Sequence, residues 1–365
     1  MRNALAIALV AGTAVAASGQ INLELTRQAV IDFSGEFEGT NIGSVAYDGS
    51  NIFVGGFNNG GTAGSVNISK FDGSTYSQFG SQSITAFRGI GGMDISNGQL
   101  GVSYNLDGGA SADRVQTFDI NGNLLQTGND LNGAMTTRGD SGVAFDSTNG
   151  GLAFASFGSG RFRQMDLSTG SAIEAAGGSA WNNATGPFNF DSDWGTAYRD
   201  VDIDDNGNIY AREGLQVIKY ERNAPNGFET PLSAPGRGNL TPEFGDADGD
   251  NASPLLKLSA ADPFGVVFYN DPALTPNGGP ASGQLLENVI KAVGMNGETV
   301  NLTFNGGSFF QSNGLFDLHF DASTNTLAVA EFSSNRVYLY SVVPAPGAAG
   351  LLAVAGLAAS RRRRA

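Results

Sequence analysis

A short apolar strand ending in Asp or Ser, a Gly/Asn turn and a second apolar strand recur along this chain of 365 residues. The pattern appears at Ser44 to Val54, Met93 to Val102, Val143 to Phe154, Val201 to Tyr210 and Leu318 to Val329. Each reads as a hairpin, because Asn-Gly and Asp-Gly accept the positive φ of tight turns. After a polar loop a second unit follows, at Val66 to Gly73, Val115 to Asn123, Phe162 to Asp166, Val217 to Tyr220 and Val337 to Tyr340. Strand, turn, strand, loop, strand, turn, strand is one four-stranded blade, so the expected fold is an all-β β-propeller. The turn residues Asp48, Ser96, Asp146, Asp204 and Asp321 stand 48, 50, 58 and 117 residues apart, and the last gap leaves room for one degenerate blade. Its expected core is Phe264 to Tyr269, with Val289 to Val293 and Val300 to Phe304 as outer strands. Six blades result. The extended segment Ile21 to Phe33 is then free to pair with the last blade and close the ring, which removes an exposed strand edge. A right-handed β-helix is the main alternative, but its repeats would be shorter and more regular.

Composition supports many turns and narrows the chemistry. Gly supplies 53 residues, Cys none, and His one. The absence of Cys excludes disulfides, thiol catalysis and Cys-metal sites. With His319 alone, Ser-His-Asp triads and multi-histidine zinc sites are excluded as well. His319 lies within an apolar strand and reads as a packed or channel-lining residue.

The two ends carry targeting patterns. Residues 1–16 combine Arg2, an apolar run from Ala4 to Val15 and the small-residue site Ala14-Val15-Ala16, the pattern of a secretory signal peptide. Residues 17–342 form the expected domain. In residues 343–365, Val343-Pro344-Ala345-Pro346 precedes an apolar stretch, Gly347 to Ala359, and the cations Arg361, Arg362, Arg363 and Arg364. That order resembles the PEP-CTERM sorting signal, with Val343, Pro344 and Pro346 matching its V-P-x-P start and Ala345 standing where Glu is usual. The resemblance implies export, processing by an exosortase-type enzyme, membrane contact through the tail, and residence at the cell envelope or surface of a Gram-negative-type bacterium. Removal of both ends takes basic residues from 20 to 15 and the net charge from −15 to about −20. Nucleic acid is therefore not an expected partner.

Asp204-Asp205-Asn206-Gly207-Asn208-Ile209-Tyr210 resembles the repeat turn of NHL and SMP-30-type propellers, and Asp119 to Leu124 is a looser match. This resemblance implies the fold and not an activity. No catalytic residue is assigned.

Two loops carry candidate binding chemistry. Asp246, Asp248 and Asp250 alternate as carboxylates converging on Ca²⁺ do. The EF-hand pattern is not met, since Asn251 and Lys257 stand where Gly and Glu are required, and a solvated acidic loop is the competing reading. Asp202, Asp204 and Asn206 alternate similarly but read as a structural turn. Trp181 and Trp194 enclose Phe188, Phe190, Asp191 and Asp193, and aromatic faces beside carboxylates suit a sugar or peptide ligand. The competing reading is a loop that tucks its aromatics over the domain rim. Two functional classes follow: a non-enzymatic binding or scaffold protein for polysaccharide or another envelope component, and a metal-dependent lactonase or esterase of SMP-30 type. Convergence of inward-facing carboxylates at one mouth of the channel is what separates them.

Overall fold

The computed structural model of the chain describes residues 20–58, 64–86, 88–105, 114–129, 140–148, 150–156, 161–171, 174–175, 179–180, 198–213, 216–220, 229–231, 257–270, 290–306, 315–332 and 334–345. Among these the fold is all-β, with one 3-10 turn at Asp262–Phe264. A long strand, β1 (Ile21–Asp32), comes first. An antiparallel run follows: β2 (Asn41–Tyr47), β3 (Ile52–Phe57), β4 (Gly64–Phe71) and β5 (Tyr76–Ala86). A second run holds β6 (Gly89–Ser96), β7 (Gln99–Asn105), β8 (Arg114–Asp119) and β9 (Leu124–Asn129), and among the described residues its strand pairing with the first is confined to Phe57↔Gly89. The third contains β10 (Asp140–Asp146), β11 (Gly151–Ser156) and β12 (Arg161–Asp166), followed by a small hairpin of β13 (Glu174–Ala175) and β14 (Ser179–Ala180).

The fourth run is β15 (Tyr198–Ile203), β16 (Ile209–Glu213), β17 (Gln216–Tyr220) and β18 (Glu229–Pro231). The fifth is β19 (Leu258–Ala261), β20 (Val266–Asn270) and β21 (Ile290–Gly294). After β22 (Val300–Asn305), the sixth is β23 (Leu315–Asp321), β24 (Thr326–Glu331) and β25 (Arg336–Pro344).

Carboxylates build the turns between these strands. Asp48 Oδ1 accepts the N–H groups of Ser50 and Asn51 at 2.9 and 2.6 Å, and Asp119 Oδ1 accepts those of Asn121 and Asn123, both at 2.9 Å. Asp204 does the same for Asn206 and Asn208 and also takes the Tyr210 hydroxyl at 3.0 Å. A short side chain that replaces the missing turn hydrogen bonds is the reason Asp recurs there. Asp204 therefore serves a structural turn.

Neighbouring sheets pack face to face through apolar side chains. Phe53, Ile68 and Phe79 of the first run share a cluster with Ile90, Met93 and Val102 of the second, and Val115 of the second joins Val143, Leu152 and Met165 of the third. Tyr210 and Val217 meet Leu258, Val267 and Val293, while Val266 and Phe268 meet Leu318, Phe320 and Tyr340. Ala328, Ala330 and Val337 of the sixth run then pack with Ile42, Val45 and Val54 of the first. Burial on both faces explains why β3 and β24 are buried along their whole length and read as near-continuous apolar runs.

The expected partner of the N-terminal segment is the observed one. β1 pairs antiparallel with β25 from Leu23↔Pro344 to Asp32↔Arg336, with a register shift between Arg27 and Ala29. Val343 and Pro344 thus belong to the sheet, and the Ala345 N–H reaches the Asn22 carbonyl at 3.0 Å. Pro346 and Arg361 to Arg364 lie outside the described residues, as do residues 1–16.

Val300 to Phe304 departs from its expected place. β22 adds to the far edge of β1 in parallel, from Ile21↔Val300 to Thr26↔Asn305, and just before it the isolated bridge Val293↔Thr299 links the chain to β21. There Val300, Leu302 and Phe304 pack against the cluster shared by the fifth and last sheets, with Phe304 edge-on to Tyr340 at 6.0 Å.

β1 should therefore carry much of the stability. Leu25 is 0 % exposed and Val30 is 46 % exposed on the same strand. Leu25→Ala should cost about 3 kcal/mol in chemical denaturation, whereas Val30→Ala should stay within about 0.5 kcal/mol.

Candidate functional site

Strands β6, β10, β15, β19 and β23, each the first of its run, line one polar cavity, and β2 is bonded to β23 beside it through Val45 and Tyr47. Two residues and four residues before each turn are the positions concerned: Gly92 and Asp94, Gly142 and Ala144, Asp200 and Asp202, Asp317 and His319, with Lys257 and Ser259 equivalent in the fifth run. A narrow cavity with room for about one water molecule lies among Asp94, Asp200, Asp202, Ser259, Asp317 and His319.

One hydrogen-bonding device repeats. Asp94 Oδ1 accepts the N–H of the next residue, Ile95, and Oδ2 accepts the N–H of Phe145 in β10, both at 2.7 Å. Asp202 uses Oδ1 for Ile203 and Oδ2 for Ala260 in β19, again both at 2.7 Å. Asp317 uses Oδ1 for Leu318 at 3.0 Å and Oδ2 for Val45 in β2 at 2.8 Å. Asp200 Oδ2 accepts the Leu258 N–H at 2.9 Å, and Ser259 Oγ accepts that of Phe320 at 2.9 Å. Gly142 permits the approach of Asp200, since a Cβ there would stand 2.0 Å from its Oδ1. Each carboxylate thus carries a main-chain donor of a neighbouring first strand.

Two cations answer these carboxylates. Lys257, 1 % exposed, lies 3.9 Å from both Asp200 and Asp317 and donates to the Gly91 carbonyl at 2.6 Å. His319 Nε2 lies 3.1 Å from Asp94 Oδ1. Burial pushes Asp317 up to about 6 against the pull of Lys257, and pushes Asp202 up to about 7 with help from the Asp94 charge. Asp200 is held well above the ordinary carboxylate range by burial, despite Lys257. Burial opposes a charge on His319, yet its hydrogen bond to Asp94 and the charges of Asp94, Asp202 and Asp317 raise its pKa overall.

His319 is at the centre, as a channel-lining residue would be. The other candidate residues, Trp181, Phe188, Phe190, Asp191, Asp193 and Trp194, and the alternating Asp246, Asp248 and Asp250, fall outside the described residues. Among the described residues no group of three His, Cys, Asp or Glu is arranged to hold a metal ion. Asp94, Asp200, Lys257 and Asp317 were not singled out by reading along the chain. Superposing the hairpins on their turn residues would have found them. Comparison with known protein families finds no matching model, and comparison with curated proteins finds no match.

The central groups set an unusual pH profile. Asp200, Asp202 and Asp317 keep their protons to higher pH in the folded chain than in the unfolded one. The stability that Asp317 and Asp202 contribute is complete below the ordinary carboxylate pKa of about 4 and is lost as pH rises through about 6 and about 7, and Asp200 acts in the same direction. The raised pKa of His319 acts in the same sense, its contribution fading as pH rises through the folded value. Turn carboxylates such as Asp72, lowered by the N–H groups of Thr75 and Ser74, and Asp119, lowered by Asn123, oppose this only in more acid solution. The unfolding temperature should therefore be higher at pH 5 than at pH 8. A scanning calorimetry series in which it rises steadily from pH 5 to pH 8 would contradict this assignment.

Proposed function

We propose that the chain is an exported, envelope-sorted six-bladed β-propeller, closed by β1, that serves as a non-enzymatic binding scaffold for polysaccharide or another envelope component. The observation that carries this reading is the use made of the central carboxylates. Asp94, Asp200, Asp202 and Asp317 each give an oxygen to the main chain of a neighbouring strand, so the centre holds the domain together. Recognition is then left to the loops, where such scaffolds carry function. Six runs of strands support the blade count, and the bonds from Asp317 and His319 in β23 to Val45 and Tyr47 in β2 are what closure between last and first blade requires.

In this reading residues 1–16 engage the export machinery, and the PEP-CTERM-like tail engages an exosortase-type enzyme at the membrane. The aromatic segment from Trp181 to Trp194 forms the ligand platform, and Asp246, Asp248 and Asp250 hold Ca²⁺ as a loop-ordering ion.

A metal-dependent lactonase or esterase of SMP-30 type is the second reading. It is favoured by the convergence of Asp94, Asp202 and Asp317 on one cavity. Against it stands the engagement of both oxygens of each of these three carboxylates with main-chain N–H groups.

A glycan array probed with purified protein separates the two. The scaffold reading expects a polysaccharide ligand whose binding Trp194→Ala weakens by roughly 2 kcal/mol or more, with an unchanged denaturation midpoint. Silence on the array, together with lactone hydrolysis that depends on an added divalent ion, would move the protein to the hydrolase class.

A further inference from the structure

His319 is the single histidine of the chain, 7 % exposed, and its two ring nitrogens meet different kinds of partner. Nδ1 lies 3.3 Å from the main-chain N of Tyr47 in β2, and Nε2 lies 3.1 Å from Asp94 Oδ1 in β6. An N–H needs a bare nitrogen to accept it. Nδ1 therefore carries no proton, and Nε2–H donates to Asp94. Because the other oxygen of Asp94 accepts the Phe145 N–H, one hydrogen-bonded string runs through β2, β23, β6 and β10. The ring occupies the seam between the last first-strand and the first one, beside the bond from Asp317 to Val45.

A second proton on this ring has both an incentive and a structural consequence. The charged and titratable groups facing the centre are Asp94 on β6, Asp200 and Asp202 on β15, Lys257 at the head of β19, and Asp317 on β23 itself. On β2, Asp48 is engaged in its own turn, and on β10, Asp146 is bonded to Thr148 and Gln164. The hydrogen bond to Asp94 and the charges of Asp94, Asp202 and Asp317 favour an imidazolium. Set against it are burial, the Lys257 cation and the Tyr47 N–H, because a protonated Nδ1 would point one donor at another.

We propose that His319 is a pH-operated latch: proton uptake at Nδ1 breaks the bond to Tyr47 and loosens the β2–β23 seam beside the central cavity, while Nε2 stays tethered to Asp94. This device goes beyond the scaffold reading and does not depend on it.

Two measurements on the purified full chain test it together. Nuclear magnetic resonance of the lone imidazole reports tautomer and titration without assignment ambiguity, and amide exchange at Tyr47, corrected for intrinsic rates, reports the seam. The expected result is an Nε2–H tautomer at alkaline pH, and Tyr47 protection that falls roughly five- to tenfold as the imidazole gains its proton. His319→Asn keeps an acceptor near the Nδ1 position and removes the titration, so its Tyr47 protection should be independent of pH. His319→Gln keeps a donor for Asp94 and should leave Tyr47 poorly protected at every pH. Tyr47 protection that stays flat while the wild-type imidazole titrates, an Nδ1–H neutral tautomer, or an imidazole that does not titrate between pH 4 and 9 would each overturn the latch. The wild-type comparison stands alone should either variant fail to fold.

Discussion

A first strand with a sheet partner along one side only leaves a row of main-chain N–H groups facing the interior, and buried donors must be satisfied. Everything at the centre of this protein follows from that requirement. Asp94, Asp202 and Asp317 solve it identically, one oxygen on the next residue of their own strand and the other on the neighbouring strand. Ser259 and His319 solve it with a hydroxyl and an imidazole nitrogen. The apolar clusters between sheets supply burial, but they are not directional. The side-chain bonds at the centre fix which strands meet and in what register.

The cost of this solution is charge in a place that water scarcely reaches. Carboxylates at such a centre can ionise only where donors and cations repay their desolvation, and otherwise they hold protons. Lys257 lies between Asp200 and Asp317, His319 leans on Asp94, and the remaining imbalance appears as raised carboxylate pKa values. Stability, protonation and the seam at β2 are consequently one coupled property. The turn carboxylates at the surface are the counterexample: Asp72 and Asp119 accept main-chain N–H groups in solvent and ionise more readily than usual.

Much of the strand framework was legible in the amino-acid sequence, because turn chemistry is local. Asp48, Asp146, Asp204 and Asp321 announce hairpins at the positions where hairpins form. The extended stretch starting at Ile21 found the partner expected of it. β22 was misplaced since its apolar alternation says that it covers a sheet but not which one, and the choice was made by distant Tyr340 and β1. The centre was harder still. Asp94 looks like an ordinary strand residue, and Lys257 drew notice only as a wrong residue for a calcium loop. Their shared role emerges when Asp94, Asp202 and His319 are superposed as residues two before a turn, and Asp200 and Asp317 as residues four before it.

Native-state hydrogen exchange at the main-chain amides of Val45, Phe145, Leu258 and Ala260 tests the central claim most directly. Each is bonded to a carboxylate from the neighbouring first strand. The account predicts that all four exchange as slowly as amides inside the strand ladders, such as that of Val54 in β3. Exchange at rates typical of an open strand edge, with Val54 still protected, would show that the carboxylates do not hold these strands together.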